Sequence, residues 1–339
     1  METKADTRSQ AHTGTRAAIA GLGAYVPERR VRNEDLTQFP AAIIPLIQKK
    51  TGVEARHYAA DGESTSDLAA AAALRCLESA GVQAADVDAI ILSTSSPDRI
   101  QPPTAARVQA LIGASQAAAF DLNAVCAGAV FAIQVADSLI RSETYNTVLV
   151  VAAELYSRFL NPRDFSTMPY FGDGAGAMLL KAAAHTGRGV LHTLLRSDGS
   201  GWEAIGIRAG GTMLPHACVT NPADAFFSMR GREVYDFAVT RAPQIISELL
   251  NATGVPADRI TAVVAHQANL NVLEAIADRT GIPFSRFPIT LDQYGNTASA
   301  SVLIGLESAR RNGTLRSGDY VILVAFGGGL SWGASLICL

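Results

Sequence analysis

The sequence predicts an α/β protein of layered sheets and helices that is built twice over, and two observations carry that prediction. Apolar strands alternate with helical stretches along the chain, an arrangement that covers sheets on both faces. Two pairs of segments also recur in the same order. GVQAADVDAIILS (Gly81–Ser93) matches GVPADRITAVVAH (Gly254–His266), each placing Gly-Val after an amphipathic helix and an apolar strand six residues later. TVLVVAA (147–153) followed by FGDGAGAMLL (171–180) matches YVILVA (320–325) followed by FGGG (326–329) and WGASLIC (332–338). Each of the latter is a strand, a glycine-rich turn and a second strand, and matched pairs in one order point to internal duplication.

The helical stretches between the strands are expected at residues 66–80, 104–112, 126–141, 231–251, 269–280 and 298–312. A short apolar segment at 117–122 reads as a buried strand, and residues 129–140 after it recur with helical period. The chain divides accordingly into a polar N-terminal tail (1–16), expected to be disordered and lacking the apolar run of a secretory signal, and two halves at 17–184 and 185–339. In such a duplicated arrangement the site falls at the junction of the halves.

At 339 residues the chain is long enough for two fused halves. Its 48% apolar and 17% charged residues, with a net charge of −3, give no basic surface for nucleic acid. No run of about 20 apolar residues could span a bilayer. The four cysteines Cys76, Cys126, Cys218 and Cys338 form no C-x-x-C pair, so neither a zinc site nor a disulfide framework is expected, and the setting expected is a reducing, cytoplasmic one.

One cysteine stands out. In NAVCAG (123–128) Cys126 lies between the predicted strand and the predicted helix with small residues on both sides. A helix N-terminus favours the thiolate, so a lowered thiol pKa is expected there. A lone cysteine is more often a small buried hydrophobe. His266 ends an apolar strand in VVAHQAN, Asn296 lies in YGNTASAS between a glycine turn and a helix, and Gly327 to Gly329 follow the last long strand. Singly, His266 could be a core histidine, Asn296 a helix cap and the glycines a hairpin turn. Together, each at a strand end, they are the parts needed to handle a thioester: a nucleophile, donors for a carbonyl and a backbone oxyanion hole.

These motifs resemble those of the β-ketoacyl-ACP synthase III group of thiolase-fold condensing enzymes, and the resemblance runs from Ile19 to Trp332-Gly-Ala. It implies a thiolase-like fold of two duplicated βαβαβαββ halves in five layers (αβαβα). It implies Cys126, His266 and Asn296 as catalytic residues, with the N–H groups of Cys126 and Gly328 forming the oxyanion hole. The implied reaction is a ping-pong decarboxylative Claisen condensation: an acyl thioester acylates Cys126, and a malonyl-type thioester then attacks. Coenzyme A or carrier-protein thioesters would be the substrates, a homodimer the assembly, and no metal or redox cofactor would be needed.

The chain departs from the family pattern where substrates bind. The family's adenine-stacking tryptophan aligns with Leu46 and its arginine partner with Phe165, while a basic residue survives as Lys50. On the carrier-protein docking surface, basic positions align with Asp236, Asn271 and Asp278, with Arg279 still basic and Arg230, Arg232 and Arg286 as possible replacements. The bulky apolar residue that closes the partner's acyl pocket aligns with Gln101, and Tyr156 and Phe171 are expected to line the same pocket. A polar amide at 101 suggests a longer, branched or polar acyl group and a role in polyketide or other specialised metabolism. Two alternatives stay open: acyl transfer to an alcohol or amine from the same cysteine, and a non-catalytic acyl-binding partner.

Overall fold

The computed structural model of the chain describes residues 14–184 and 187–339; most of the expected disordered tail lies outside them. The first sheet holds β1 (Arg16–Tyr25), β4 (Ala89–Ser93), β5 (Ala118–Leu122), β6 (Thr147–Glu154) and β7 (Gly174–Ala183), in the order β1-β7-β6-β4-β5. The second holds β8 (Gly189–Ser197), β11 (Ile260–Ala265), β12 (Tyr320–Gly327) and β13 (Ser331–Cys338), in the order β11-β12-β13-β8. Two short pairs complete the strands: β2 (Arg29–Arg32) with β3 (Ala55–Tyr58), and β9 (Ile205–Gly206) with β10 (Ser228–Met229).

The duplication seen in the residues is a duplication of topology. In each sheet the first strand lies antiparallel to the last, the last antiparallel to the one before it, and that one parallel to an earlier strand. The repeat is incomplete. Among the described residues β5 has no counterpart in the four-stranded second sheet.

Side-chain alternation then builds the layers. Val148, Val150 and Ala152 of β6 face a central core shared with α4 (Gly128–Arg141), α8 (Ala300–Arg311) and the inner face of the second sheet. The intervening Leu149, Val151 and Ala153 face α2 (Thr65–Ala80) and α3 (Thr104–Ile112). The outer face of the second sheet is covered by α5 (Gly231–Thr253) and α6 (Leu270–Thr280) through Val263, Ile322 and Leu336. Strands buried on both faces have no polar side, which is why β6 and β12 read as unbroken apolar runs. The remaining helices, α1 (Pro45–Thr51) and α7 (Leu291–Tyr294), flank the β2–β3 pair.

Two expectations need correction. Segment 117–122 is an edge strand, not a buried one: β5 pairs only with β4, and Phe120 is 37% exposed. Helix α4 also starts later than residue 126, because Val125 adopts φ +47 and the chain first makes a tight turn at Val125–Ala127. Left-handed backbone at a β-branched residue is costly and holds only where the surroundings impose it.

The central helices sit close to the sheets because glycines let them. A Cβ on Gly176 of β7 would lie 2.5 Å from Leu303 Cβ and 2.9 Å from the Ile304 nitrogen of α8. Gly176→Ala is therefore expected to destabilise the fold by about 1–3 kcal/mol, the usual scale of overpacking. Gly62→Ala, where a Cβ meets nothing within 4 Å, serves as the control and should shift the melting temperature little. Equal melting temperatures for the two variants would contradict this packing account.

Candidate active site

Two turns meet at the junction of the sheets. The first carries Cys126 from the end of β5 into α4; Asn123 Oδ1 accepts the Val125 N–H at 3.0 Å and helps to shape it. The end of β12 lies directly against it, since a Cβ on Gly327 would stand 2.8 Å from both Cβ and N of Cys126. Gly328 comes next, with Val125 and Ile205 on its two sides. The glycine run is thus required by close approach and places the Gly328 backbone beside the Cys126 turn.

The second turn carries Asn296. It is stitched to the segment around Phe171: the Asn296 N–H donates to the Tyr170 carbonyl at 2.7 Å, and the Gly172 N–H donates to the Asn296 carbonyl at 3.0 Å. Asn296 Oδ1 accepts the Ala298 N–H at 2.9 Å. That bond fixes the carboxamide orientation and leaves the Nδ2 amino group as the donor available to a ligand. Ala298 is itself left-handed, at φ +45.

His266 follows β11, with its N–H donating to the Val324 carbonyl at 2.8 Å and its ring set edge-on to Phe326. Its Nδ1 lies 2.8 Å from Ser301 Oγ, which is also 2.8 Å from the Ala298 carbonyl. The hydroxyl has one proton. When it donates to Ala298, His266 Nδ1–H donates to Ser301 and Nε2 is a base; when it donates to Nδ1, Nε2 carries the proton and is a donor.

Cys126, Tyr156, Leu160, Phe171, Phe227 and Ala298 form one buried apolar cluster, with Ile205 and Met168 packed against it. Tyr156 and Phe171 stack with ring centroids 5.1 Å apart, and Phe227 closes the group edge-on to both, at 5.4 and 4.9 Å. The expected pocket residues Tyr156 and Phe171 are therefore beside Cys126. A cleft of about 700 Å³ lined by Trp202, Ile205, Arg208, Met213 and Leu214 shares Ile205 with that cluster and opens beside it.

The electrostatics overturn one expectation. Burial pushes the Cys126 thiol up rather than down, and the neighbouring Glu154 carboxylate adds to the rise. The aromatic cluster leaves Cys126 only 8% exposed, so loss of hydration outweighs the favourable helix terminus. Burial also lowers His266 to about 4. At neutral pH the resting site thus holds a thiol and a neutral imidazole.

The other expected site residues are dispersed. Gln101 is exposed and outside the cluster around Cys126. Phe165 sets its ring edge-on to Phe39, 5.2 Å away, in an apolar cluster with Ile43, Ile44 and Met168; Leu46 on α1 lies outside that cluster. Lys50 offers its backbone carbonyl to the Asn269 and Asn271 amides at 3.3 and 2.8 Å. On the proposed docking surface the cations are already engaged. Arg232 pairs with Asp236 at 3.0 Å, Arg230 with Glu203 and Glu233, and Arg279 and Arg286 donate to backbone carbonyls. Among the described residues no group of three or more His, Cys, Asp or Glu could hold a metal ion, and no helix is long and apolar enough to cross a membrane.

Phe227, Leu160 and Ser301 were not singled out in the sequence. The first two come from loops with no periodic pattern, and Ser301 is one of many small polar residues in its run.

The family described as 3-oxoacyl-[acyl-carrier-protein] synthase III matches residues 120–199, and its C-terminal part matches residues 250–339. The β-ketoacyl-[acyl-carrier-protein] synthase III of Rhodospirillum centenum is 42% identical over 95% of this chain and 98% of its own length. That of Rhodospirillum rubrum is 42% identical over 96% and 99%. Among solved structures, the 3-oxoacyl-(acyl carrier protein) synthase III of Pseudomonas aeruginosa PAO1 superposes with a TM-score of 0.87 at 35% identity, covering 95% of this chain and 98% of that one. The priming β-ketosynthase from the R1128 polyketide biosynthetic pathway superposes at 0.89 and 29%, covering 98% of each. The layered architecture is that of the thiolase-fold acyltransferases. Within that class, the chain belongs to the β-ketoacyl-[acyl-carrier-protein] synthase III family.

Ser301 is the residue through which the His266 ring is held. Ser301→Ala is expected to lower acyl-transfer turnover about tenfold, the scale of one lost buried hydrogen bond, and to lower the melting temperature as well, because the buried His266 Nδ1 and Gln267 N–H lose a partner. Unchanged turnover would show that the Ser301 bond does not set the imidazole.

Proposed function

We propose that Cys126 is the nucleophile of a decarboxylative condensation in which His266 and Asn296 serve the second half-reaction. The observation that carries this reading is the convergence of the Cys126 and Asn296 turns in one water-poor cluster, with His266 anchored to the same turn through Ser301.

In the first half-reaction sulfur attacks the thioester carbonyl and gives up its proton. The oxyanion is received by the backbone N–H groups of Cys126 and Gly328, and its collapse expels the donor thiolate, which takes up the proton. In the second, the malonyl carboxylate leaves as carbon dioxide and its bonding electrons pass into the thioester enolate. Asn296 Nδ2 and His266 Nε2–H donate to the enolate oxygen. The enolate carbon then attacks the acyl-cysteine, and Cys126 is released as the β-ketoacyl thioester departs. When the Ser301 hydroxyl donates to His266 Nδ1, the imidazole keeps its proton on Nε2, the donor that the enolate needs.

The acyl group that we propose is larger or more polar than acetyl, and the pathway is one of specialised metabolism. Gln101 at the pocket-closing position, Leu46 and Phe165 at the expected adenine site, and the likeness to a polyketide-priming ketosynthase support this. The cleft beside Ile205 offers room for the chain. The assembly is a homodimer paired at the open edge of β5, where Phe120 is exposed. The halves 17–184 and 185–339 act as one unit, with tail 1–16 outside the reaction.

Intact-mass measurement with acyl-CoAs tests the chemistry. Wild type is expected to gain one acyl group, Cys126→Ala none, and His266→Ala and Asn296→Ala to load while losing malonyl decarboxylation by roughly 10²–10³, the effect of one preorganised donor. Persistent loading of the Cys126→Ala protein sinks the assignment; absence of loading across a broad panel leaves only an acyl binder.

Gln101→Phe tests the pocket across the dimer. It is expected to raise the ratio of acetyl to longer-chain loading rates at Cys126, by narrowing the partner's pocket. An unchanged ratio removes Gln101 from the acyl pocket.

A further inference from the structure

The mechanism leaves one buried charge unused. Glu154 ends the apolar strand β6, is fully buried, and has only neutral hydrogen-bond donors around it. Both carboxylate oxygens accept from the Ser95 N–H at 3.2 Å and from Ser95 Oγ at 3.0 and 3.1 Å. Ser96 Oγ donates at 2.6 Å and Ser299 Oγ at 2.8 Å. These serines come from separate places: Ser95 and Ser96 from the loop after β4, and Ser299 from the Asn296 turn. Ser95 Oγ also lies 2.9 Å from the Tyr156 hydroxyl in the wall of the Cys126 cluster. On the other side, Gly128 of the Cys126 turn faces Ser93 and Ser299 so closely that a Cβ there would collide with the Ser93 hydroxyl.

A carboxylate placed this way ties the Asn296 turn to the loop after β4, and Ser299 of that turn and Ser93 at the end of β4 lie against Gly128, directly after the Cys126 turn. The titratable groups facing it are Cys126, from the turn before α4, and Tyr156, from the turn after β6; both are pushed up in part by its charge. From the loop after β4 and from the Asn296 turn it meets serines.

We propose that Glu154 is a positioning residue whose charge state sets how readily the Cys126 thiol ionises, while its serine clamp seats the Asn296 turn against the loop after β4 and, through Ser95, holds Tyr156 in the wall of the Cys126 cluster. The proposal deepens the reading of Cys126 as the nucleophile and rests on it. A negative charge beside the sulfur opposes a second negative charge there, so the thiolate forms more easily when Glu154 is protonated. Burial raises Glu154 to about 7, so the change of state falls within the working pH range. Acylation then carries an electrostatic link. As sulfur gains negative charge, Glu154 tends to take up a proton, and once Cys126 is a neutral thioester Glu154 is free to ionise and be held fully by its serines.

The test is the pH dependence of Cys126 alkylation by iodoacetamide, read by peptide mass so that exposed Cys218 does not interfere. In wild type the logarithm of the rate should climb with pH, flatten near pH 7 as Glu154 ionises, and climb again. In Glu154→Gln, a near-isosteric neutral replacement, the climb should be unbroken. The variant-to-wild-type ratio should then be near one below about pH 6 and reach at least about threefold by pH 8.5. Glu154→Asp, which keeps the charge, should retain the flattening and covers the case in which the glutamine variant does not fold. A straight wild-type profile, or a ratio that does not vary with pH, overturns the proposal; a purely structural role would change the rate equally at all pH values. Alkylation needs no acyl donor. A protein that shows the flattening but never loads an acyl group would refute the synthase reading and leave this one standing.

Discussion

Everything in this fold depends on one layer: two helices packed on both sides by sheets. Helices α4 and α8 contribute Ala129, Val130, Ala132, Ile133 and Val302 to Leu306 to the core that both sheets share. Their apolar faces are stable because sheets on both sides exclude water from them, while polar residues gather toward the C-terminal ends at Ser138, Arg141, Arg310 and Arg311. The catalytic turns are the N-terminal approaches to these same two helices, so packing that fixes the helices also fixes Cys126 and Asn296. Close-packed interiors transmit small displacements rather than absorbing them. Glycines at 128, 176, 327 and 333 are the points where the layer comes nearest to its neighbours, and they hold the spacing of the site as much as that of the core.

Burial of that depth creates the central tension of the chemistry. A nucleophilic sulfur needs charge, and its surroundings of Tyr156, Phe171 and Phe227 oppose charge. The structure meets this with neutral resting partners. His266, lowered by the same burial, is a free base at working pH, and the backbone N–H groups of Cys126 and Gly328 are the donors we propose for the developing negative charge. In a water-poor site such donors act more strongly than they would in solution, so the dry environment that disfavours the thiolate would also strengthen the proposed oxyanion hole.

Much of this was legible in the residues because it follows from local pattern. Strand alternation, the repeated Gly-Val and glycine-turn segments, and the helix periods foretold the layers and their duplication. His266 ends an apolar run, Cys126 stands among small residues between a strand and a helix, and Asn296 follows a glycine turn before a helix, places where such residues are conspicuous. What the sequence hid depended on distance in space. The lone acidic residue closing TVLVVAAE is a visible signal for Glu154, yet its serine partners lie 58 to 145 positions away. The rise of the Cys126 thiol was hidden for the same reason, since Phe227 and Tyr156 enter from distant segments.

The protonated state of Cys126 has a consequence for the durability of the protein. Peroxides and adventitious electrophiles attack thiolates, and susceptibility follows thiolate fraction and exposure. A cysteine that is 8% exposed, with a thiol that burial pushes up, is shielded from both routes of damage. Cys218 is exposed, and oxidative wear on this chain would mark it well before it reached Cys126.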